Sequence, residues 1–396
     1  DIADLLNGLS EEYLGTPVDT KTAENDDSTI TFDNVAADGY YYVRSGEANV
    51  NVVAMLDTAI GDTLTITAKN DLPSWGNGGK IADGKTWNIG ETIHYTLSYE
   101  NALNYANGNL IESYTIKDTP VKTTDIQVKC DSISIKVNDA VVVDKGAVQS
   151  DYIEKVSGLP ETDTSVGFEI TLTWAERAQD GLTDTFVYGA DVPKIITVEY
   201  DAIVLPTATK GDDGIVNKAT ITYSGEQGTP EEKTEKVYTG TITINKVDGS
   251  DKTKKLDATF VIATSAADAE GKHAEYLKYD KDATGSKFTP VTSQADATRF
   301  VTRPLGENET AAANTVYGEE LGKVVIEGLK AGSYYAVEIE APDGYNLKTD
   351  DTIFTLTEDK AATADAQAVD LHMADEATVL NNRGTILPST GGIGTT

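Results

Sequence analysis

The stretch TITINKVD, residues 241–248, alternates polar side chains with isoleucines until a lysine takes the next apolar place. Successive side chains of a β-strand point to opposite faces, so Ile242, Ile244 and Lys246 share one face. Comparable short runs rich in Thr, Val, Ile and Tyr recur along the chain, separated by turn residues. This pattern is typical of an all-β protein.

A chain of 396 residues is long enough for two or three domains, each with its own core. The polar, turn-rich stretch SGEQGTPEEK separates the middle strands from a new strand near residue 239. An insertion at 266–281, rich in Ala and Lys, could include a short helix. We predict the end of an N-terminal domain at 1–68, a middle β-sandwich at 69–238, a C-terminal β-sandwich at 239–386 and a tail at 387–396.

The composition argues against several classes of function. The net charge of −33 would repel phosphate backbones and anionic lipid, so no nucleic-acid partner is predicted. The single cysteine, Cys130, excludes an intrachain disulfide, and no Cys or His spacing indicates a metal site. The chain has neither a Gly-x-Ser-x-Gly elbow nor a histidine in triad context. We therefore predict no cofactor, no metal and no turnover enzyme.

Three polar residues fall on the apolar faces of predicted strands. Lys246 lies in phase with Ile242 and Ile244, as described above. Asn217 is in phase with the apolar residues of the strand at 215–223, and Asp118 is in phase with those of the strand at 113–118. Each is expected to be buried, where an unpaired polar group is costly. Such residues are also found as satisfied core groups or as lysines that reach back to solvent.

A buried lysine, asparagine and carboxylic acid can together form an isopeptide bond. Burial lowers the pKa of a lysine and raises that of a carboxyl group, so the two can meet as free amine and protonated acid. The amine then attacks the asparagine carbonyl, the acid polarises the amide, and ammonia leaves. Each domain would carry out this reaction once, on itself.

The segment YYAVEIEAPDGY, residues 334–345, resembles the E-box of the isopeptide-forming backbone pilins of Gram-positive bacteria. That resemblance covers about residues 40–391 and implies tandem immunoglobulin-like (Cna-type) sandwich domains. It places Glu338 in the catalytic position, with Ile339 where the family usually has threonine. It also pairs Lys246 with an asparagine shortly before the chain's end, for which we choose Asn381 and keep Asn382 as the alternative.

The middle domain resembles the other sandwich of these pilins. Asp118 would be its catalytic acid and Asn217 would accept the cross-link. The lysine is harder to assign, because Lys80 and Lys85 both precede the strand that follows. We favour Lys80.

The LPSTG motif at 387–391 matches the signal at which sortases cut between Thr and Gly, which makes Thr390 the acyl donor. The family normally continues into a hydrophobic span and a basic tail, so we expect the printed sequence to be trimmed. TITAKN, residues 65–70, occupies the place of the family's acceptor motif, and Lys69 would supply the amine. The alternative for Lys69 is an ordinary surface lysine, and the alternative for the LPSTG motif is a flexible tail.

The resemblance implies a structural subunit of a covalent pilus shaft. The expected partners are further copies of the chain, class C and housekeeping sortases, tip and basal pilins, and a host surface ligand. The expected location is extracellular, in the cell wall or pilus. A wall-anchored monomeric adhesin and a minor or basal pilin are the alternatives.

Overall fold

The computed structural model describes residues 72–106, 109–178, 183–281, 285–360 and 368–384, two earlier strands and three isolated residues before them. The earlier strands, β1 (Gly39–Arg44) and β2 (Asn51–Leu56), form an antiparallel hairpin. From Leu72 onward, the described residues contain strands and four short 3₁₀ helices: Cys130–Ser132, Ser150–Tyr152, Gly211–Asp213 and Gln294–Asp296. Within the described ranges, no helix is long and apolar enough to cross a membrane.

The strands of the middle region pair only with one another. They are β3 (Gly79–Ala82), β4 (Thr92–Ala102), β5 (Tyr105–Ala106), β6 (Asn109–Leu110), β7 (Ser113–Pro120), β8 (Ile126–Val128), β9 (Ser134–Val137), β10 (Ala140–Asp144), β11 (Ala147–Val148), β12 (Val156–Ser157), β13 (Phe168–Thr173), β14 (Ala175–Arg177), β15 (Asp184–Phe186), β16 (Lys194–Val204), β17 (Ile215–Tyr223) and β18 (Glu232–Val237). One sheet has the order β11-β10-β9-β16-β4-β3, with β8 beside β16, and the other has the order β12-β13-β7-β17-β18.

Alternation along the long strands builds the core between these two sheets. On β16, every second side chain from Lys194 to Val204 is buried, and β4 shows the same pattern over most of its length. The opposite sheet supplies apolar side chains from β7, β13 and β17. Gly167, just before β13, has φ +85°, and a Cβ there would lie 2.0 Å from the Asp118 carbonyl oxygen. Only glycine fits this approach, which brings β13 alongside the strand that carries Asp118.

The C-terminal region forms a second sandwich. Its strands are β19 (Gly240–Asp248), β20 (Thr259–Ala263), β21 (Tyr276–Asp280), β22 (Lys287–Val291), β23 (Arg299–Val301), β24 (Thr315–Tyr317), β25 (Lys323–Leu329), β26 (Gly332–Glu340), β27 (Thr352–Leu356) and β28 (Ala374–Asn381). The order β25-β19-β28 makes one sheet, in which the first strand, β19, runs parallel to the last, β28. The other sheet joins β22, β21, β20, β23 and β24 in that order, with β26 pairing with β20 and β27.

The predicted all-β, immunoglobulin-like architecture is confirmed. The expected helix in the insertion at 266–281 is wrong, because the described residues there form turns followed by β21. Asp268 accepts hydrogen bonds from the backbone N–H groups of Glu270 and Lys272, and Gly271 has φ +75°. These local bonds close a turn in place of the first turn of a helix.

The two sandwiches contact each other through hydrogen bonds. The Ile89 N–H donates to the Gly328 carbonyl at 2.9 Å, and the Lys330 N–H donates to the side-chain oxygen Asn88 Oδ1 at 2.9 Å. The loop before β4 is thereby joined to the end of β25 and to the turn that follows it.

Two buried lysine, acid and asparagine sites

The core of the middle sandwich contains Lys80, Asp118 and Asn217, each less than a tenth exposed. Lys80 lies on edge strand β3 of one sheet, whereas Asp118 and Asn217 lie on the adjacent strands β7 and β17 of the other. The Lys80 ammonium group reaches across the core and forms an ion pair with Asp118 Oδ2. Burial lowers the pKa of Lys80, although the nearby Asp118 carboxyl group opposes that shift.

The alternative lysine, Lys85, occupies a different environment. Its side chain is 53% exposed and forms an ion pair with Glu235. The buried Lys80, in contrast, has surroundings that lower the pKa of its amine. The structure therefore brings Lys80, and not Lys85, to Asp118 and Asn217.

Tyr200 on β16 joins the three groups, and the sequence analysis did not identify it. Its hydroxyl group donates to Asp118 Oδ1 at 2.8 Å and accepts from Lys80 Nζ at 2.9 Å and from Asn217 Nδ2 at 2.8 Å. The alternation of β16 does place Tyr200 on the buried face. A tyrosine among apolar neighbours, however, is usually an ordinary core residue, so this signal alone does not identify a reactive group.

The second site lies in the C-terminal sandwich and contains Lys246, Glu338 and Asn381, all buried. Lys246 on β19 faces Val379 of the parallel strand β28, and Asn381 is two residues further along the same face. Diagonal neighbours on adjacent strands are within reach of a long side chain. The Lys246 Nζ group donates a hydrogen bond to Asn381 Oδ1 and lies 3.2 Å from Glu338 Oε1.

Glu338 approaches this amide from the facing sheet, on β26. Asn381 Nδ2 donates to Glu338 Oε1 at 2.9 Å and to the Asn346 carbonyl at 3.0 Å, and the Lys348 N–H donates to Glu338 Oε2 at 2.8 Å. These bonds fix both the acid and the amide plane. Asn382, the alternative to Asn381, is exposed.

Both sites can support amide exchange between side chains. Burial lowers the pKa of Lys246, as it does for Lys80, which favours the neutral amine needed for attack on a carbonyl carbon. In each site a carboxyl group contacts the lysine nitrogen. The residues proposed for intersubunit linkage, Lys69 and Thr390, lie outside the described residues.

The two sandwiches are similar to known proteins of Gram-positive bacteria. The family profile named SpaA, a prealbumin-like fold domain, matches residues 240–370. The trypsin-resistant surface T6 protein of Streptococcus pyogenes serotype M6 is 24% identical over 410 residues, covering 89% of this chain and 70% of that protein.

Solved structures of pilus backbone proteins are also similar to this chain. The pilus 2b backbone protein of group B streptococcus matches with a TM-score of 0.56 and 29% identity, covering 79% of this chain and 100% of that one. The pilus backbone RrgB of Streptococcus pneumoniae has a TM-score of 0.51 and 13% identity over the same shares, which shows the common fold. The chain is therefore similar to the backbone pilins of Gram-positive bacteria, as its sequence predicted.

Proposed function

We propose that this protein is a shaft subunit of a covalent pilus, cross-linked within each sandwich by a lysine–asparagine isopeptide bond. The observation that carries the proposal is the burial of a complete set of reacting groups in each of two successive sandwiches. A single buried lysine has many explanations. Two sets that each contain a lysine, an asparagine and a carboxylic acid, in a chain that resembles pilus backbone proteins, favour a shared reaction.

In the C-terminal sandwich, the Lys246 nitrogen attacks Asn381 Cγ and forms a new C–N bond. The bond from Cγ to Nδ2 then breaks, and one proton from Nζ leaves with the nitrogen as ammonia. Glu338, in contact with both nitrogens, carries that proton. The middle sandwich performs the same exchange with Lys80 and Asn217, so the chain loses two ammonia molecules in total.

The positions of these bonds suit a fibre under tension. Lys246 and Asn381 lie on the first and last strands of their sandwich, which are parallel neighbours. A covalent bond between them carries force past the interior of the domain. Lys80 and Asn217 likewise join the two sheets of the middle sandwich. Such bonds replace the disulfides that one cysteine cannot provide.

Polymerisation would use Lys69 and Thr390, which precede and follow the two sandwiches in the sequence. A class C sortase would cleave after Thr390 and transfer the acyl group to Lys69 of the next subunit, and a housekeeping sortase would attach the finished fibre to the cell wall. Copies of the chain, with tip and basal pilins, would form an extracellular pilus that supports adhesion to a host surface.

Replacing Lys69 with alanine is expected to abolish the ladder of covalent multimers that forms with a pilin-class sortase, because the acyl-enzyme then lacks its acceptor amine. Gel electrophoresis in denaturant measures the ladder. Lys117→Ala is the matched control, since Lys117 is an exposed lysine of the middle sandwich. An unchanged ladder from Lys69→Ala would overturn the acceptor assignment, and the absence of any ladder from the unmodified chain would favour a monomeric adhesin.

A further inference from the structure

The two sites differ in how the acid reaches the amide. In the C-terminal sandwich, Glu338 accepts a hydrogen bond directly from Asn381 Nδ2 at 2.9 Å. In the middle sandwich, the hydrogen bonds described for Asp118 go to Lys80 and Tyr200, and Asn217 Nδ2 donates instead to the Tyr200 hydroxyl. Asp118, whose side chain is shorter than that of Glu338, therefore contacts the Asn217 amide only through the hydroxyl group of Tyr200.

We propose that Tyr200 is a catalytic residue of the middle-sandwich cross-linking reaction, in which its hydroxyl group passes a proton between the lysine and the leaving amide nitrogen. This inference rests on the proposed function, and it adds a fourth group to one of the two sites. The hydroxyl oxygen is within hydrogen-bonding distance of both nitrogens, at 2.9 Å from Lys80 Nζ and 2.8 Å from Asn217 Nδ2.

The proton balance of the step is complete without any other reactant. Lys80 enters the step as the neutral amine, and the Tyr200 hydroxyl is held before attack by its hydrogen bond to Asp118. As Lys80 Nζ bonds to Asn217 Cγ, the hydroxyl oxygen takes one proton from Nζ, and the hydroxyl proton turns from Asp118 to Nδ2. The Cγ–Nδ2 bond breaks, and ammonia is released. Tyr200 and Asp118 end in the protonation states in which they began.

The surroundings of Tyr200 keep its hydroxyl in place and protonated. Its ring stacks on Tyr95 with a centroid distance of 5.3 Å and meets Phe168 edge-on at 5.2 Å. Burial raises the pKa of Tyr200 well above its ordinary value, so the group remains a neutral phenol that both donates and accepts.

Tyr200→Phe tests the proposal, because it removes only the hydroxyl group and keeps the ring that packs on Tyr95. Protein is sampled during cell-free synthesis, intact mass reports the ammonia lost, and tandem mass spectrometry of digests locates each bond. We expect the Lys80–Asn217 bond to form at least about 100-fold more slowly, the usual effect of losing a proton-transfer group. The Lys246–Asn381 bond in the same molecule should form at the normal rate.

Tyr114→Phe is the matched control, since Tyr114 is a fully buried tyrosine of the same sandwich whose hydroxyl bonds to the Leu103 backbone. It should form both bonds at the wild-type rate. Rates are compared at a temperature where both variants keep the wild-type circular dichroism spectrum, so unfolding does not explain a loss. Formation of the Lys80–Asn217 bond in Tyr200→Phe at the wild-type rate would overturn the role of Tyr200 and leave the proposed function intact. Absence of both bonds from the wild-type chain would instead overturn the proposed function, and this inference with it.

Discussion

Glu338→Gln is expected to leave Lys246 and Asn381 unlinked and to cause a large loss of stability in the C-terminal sandwich. The bond would close a loop spanning 135 residues. Treated like a disulfide, a loop of that size contributes about 5 kcal/mol by restricting the unfolded chain. The unlinked variant also keeps a buried lysine whose acid partner is gone, which adds to the loss because a buried polar group without its partner is costly.

Guanidinium unfolding of wild type and variant measures this difference, and intact mass shows that one ammonia fewer has been lost. Glu340→Gln is the matched control, because Glu340 lies two residues along the same strand with a side chain that is 59% exposed. It should keep both bonds and change stability by less than about 1 kcal/mol. Loss of two ammonia molecules from Glu338→Gln would contradict the role assigned to Glu338.

Lys80→Ala is expected to remove the cross-link of the middle sandwich, whereas Lys85→Ala should leave it intact. The Lys80–Asn217 loop is slightly longer than the C-terminal one, so its loss should also cost about 5 kcal/mol of stability by chain entropy. Removing Lys80 in addition leaves Asp118 buried without its ion pair. Lys85→Ala removes only an ion pair made by a half-exposed side chain, and such a pair contributes about 1 kcal/mol or less to stability.

Intact mass and thermal unfolding of the two lysine variants distinguish these outcomes. Lys80→Ala should be heavier by one retained ammonia, after allowance for the substitution, and should unfold at a lower temperature. If Lys85→Ala showed those changes and Lys80→Ala did not, the assignment of Lys80 would be wrong.

Much of the fold and part of each site could be predicted from alternation alone. The positions of Asp118, Asn217 and Lys246 in phase with apolar neighbours predict inward side chains, and all three are buried in the structure. Alternation alone does not choose between Asn381, in phase with Val379, and Asn382, in phase with Leu380; in the structure Asn381 is buried and Asn382 is exposed. Alternation of apolar and polar residues with a period of two is a strong signal of which side chains point inward, wherever one face of a strand is buried.

Other features depend on contacts between distant segments. Lys80 lies on a strand of only four residues, Gly79–Ala82, which is too short for alternation to distinguish it from Lys85. Tyr200 becomes a candidate only when β16 is placed opposite β7 and β17, since nothing local separates it from an ordinary core tyrosine. The insertion at 266–281 has residues that favour a helix, but the turn bonds of Asp268 take the place of a helical start.

The intact mass of the unmodified, natively folded chain tests the central claim most directly. Two internal isopeptide bonds predict a mass lower than that of the sequence by two ammonia molecules, with the linked peptides containing Lys80 with Asn217 and Lys246 with Asn381. A mass equal to that of the sequence would contradict the account.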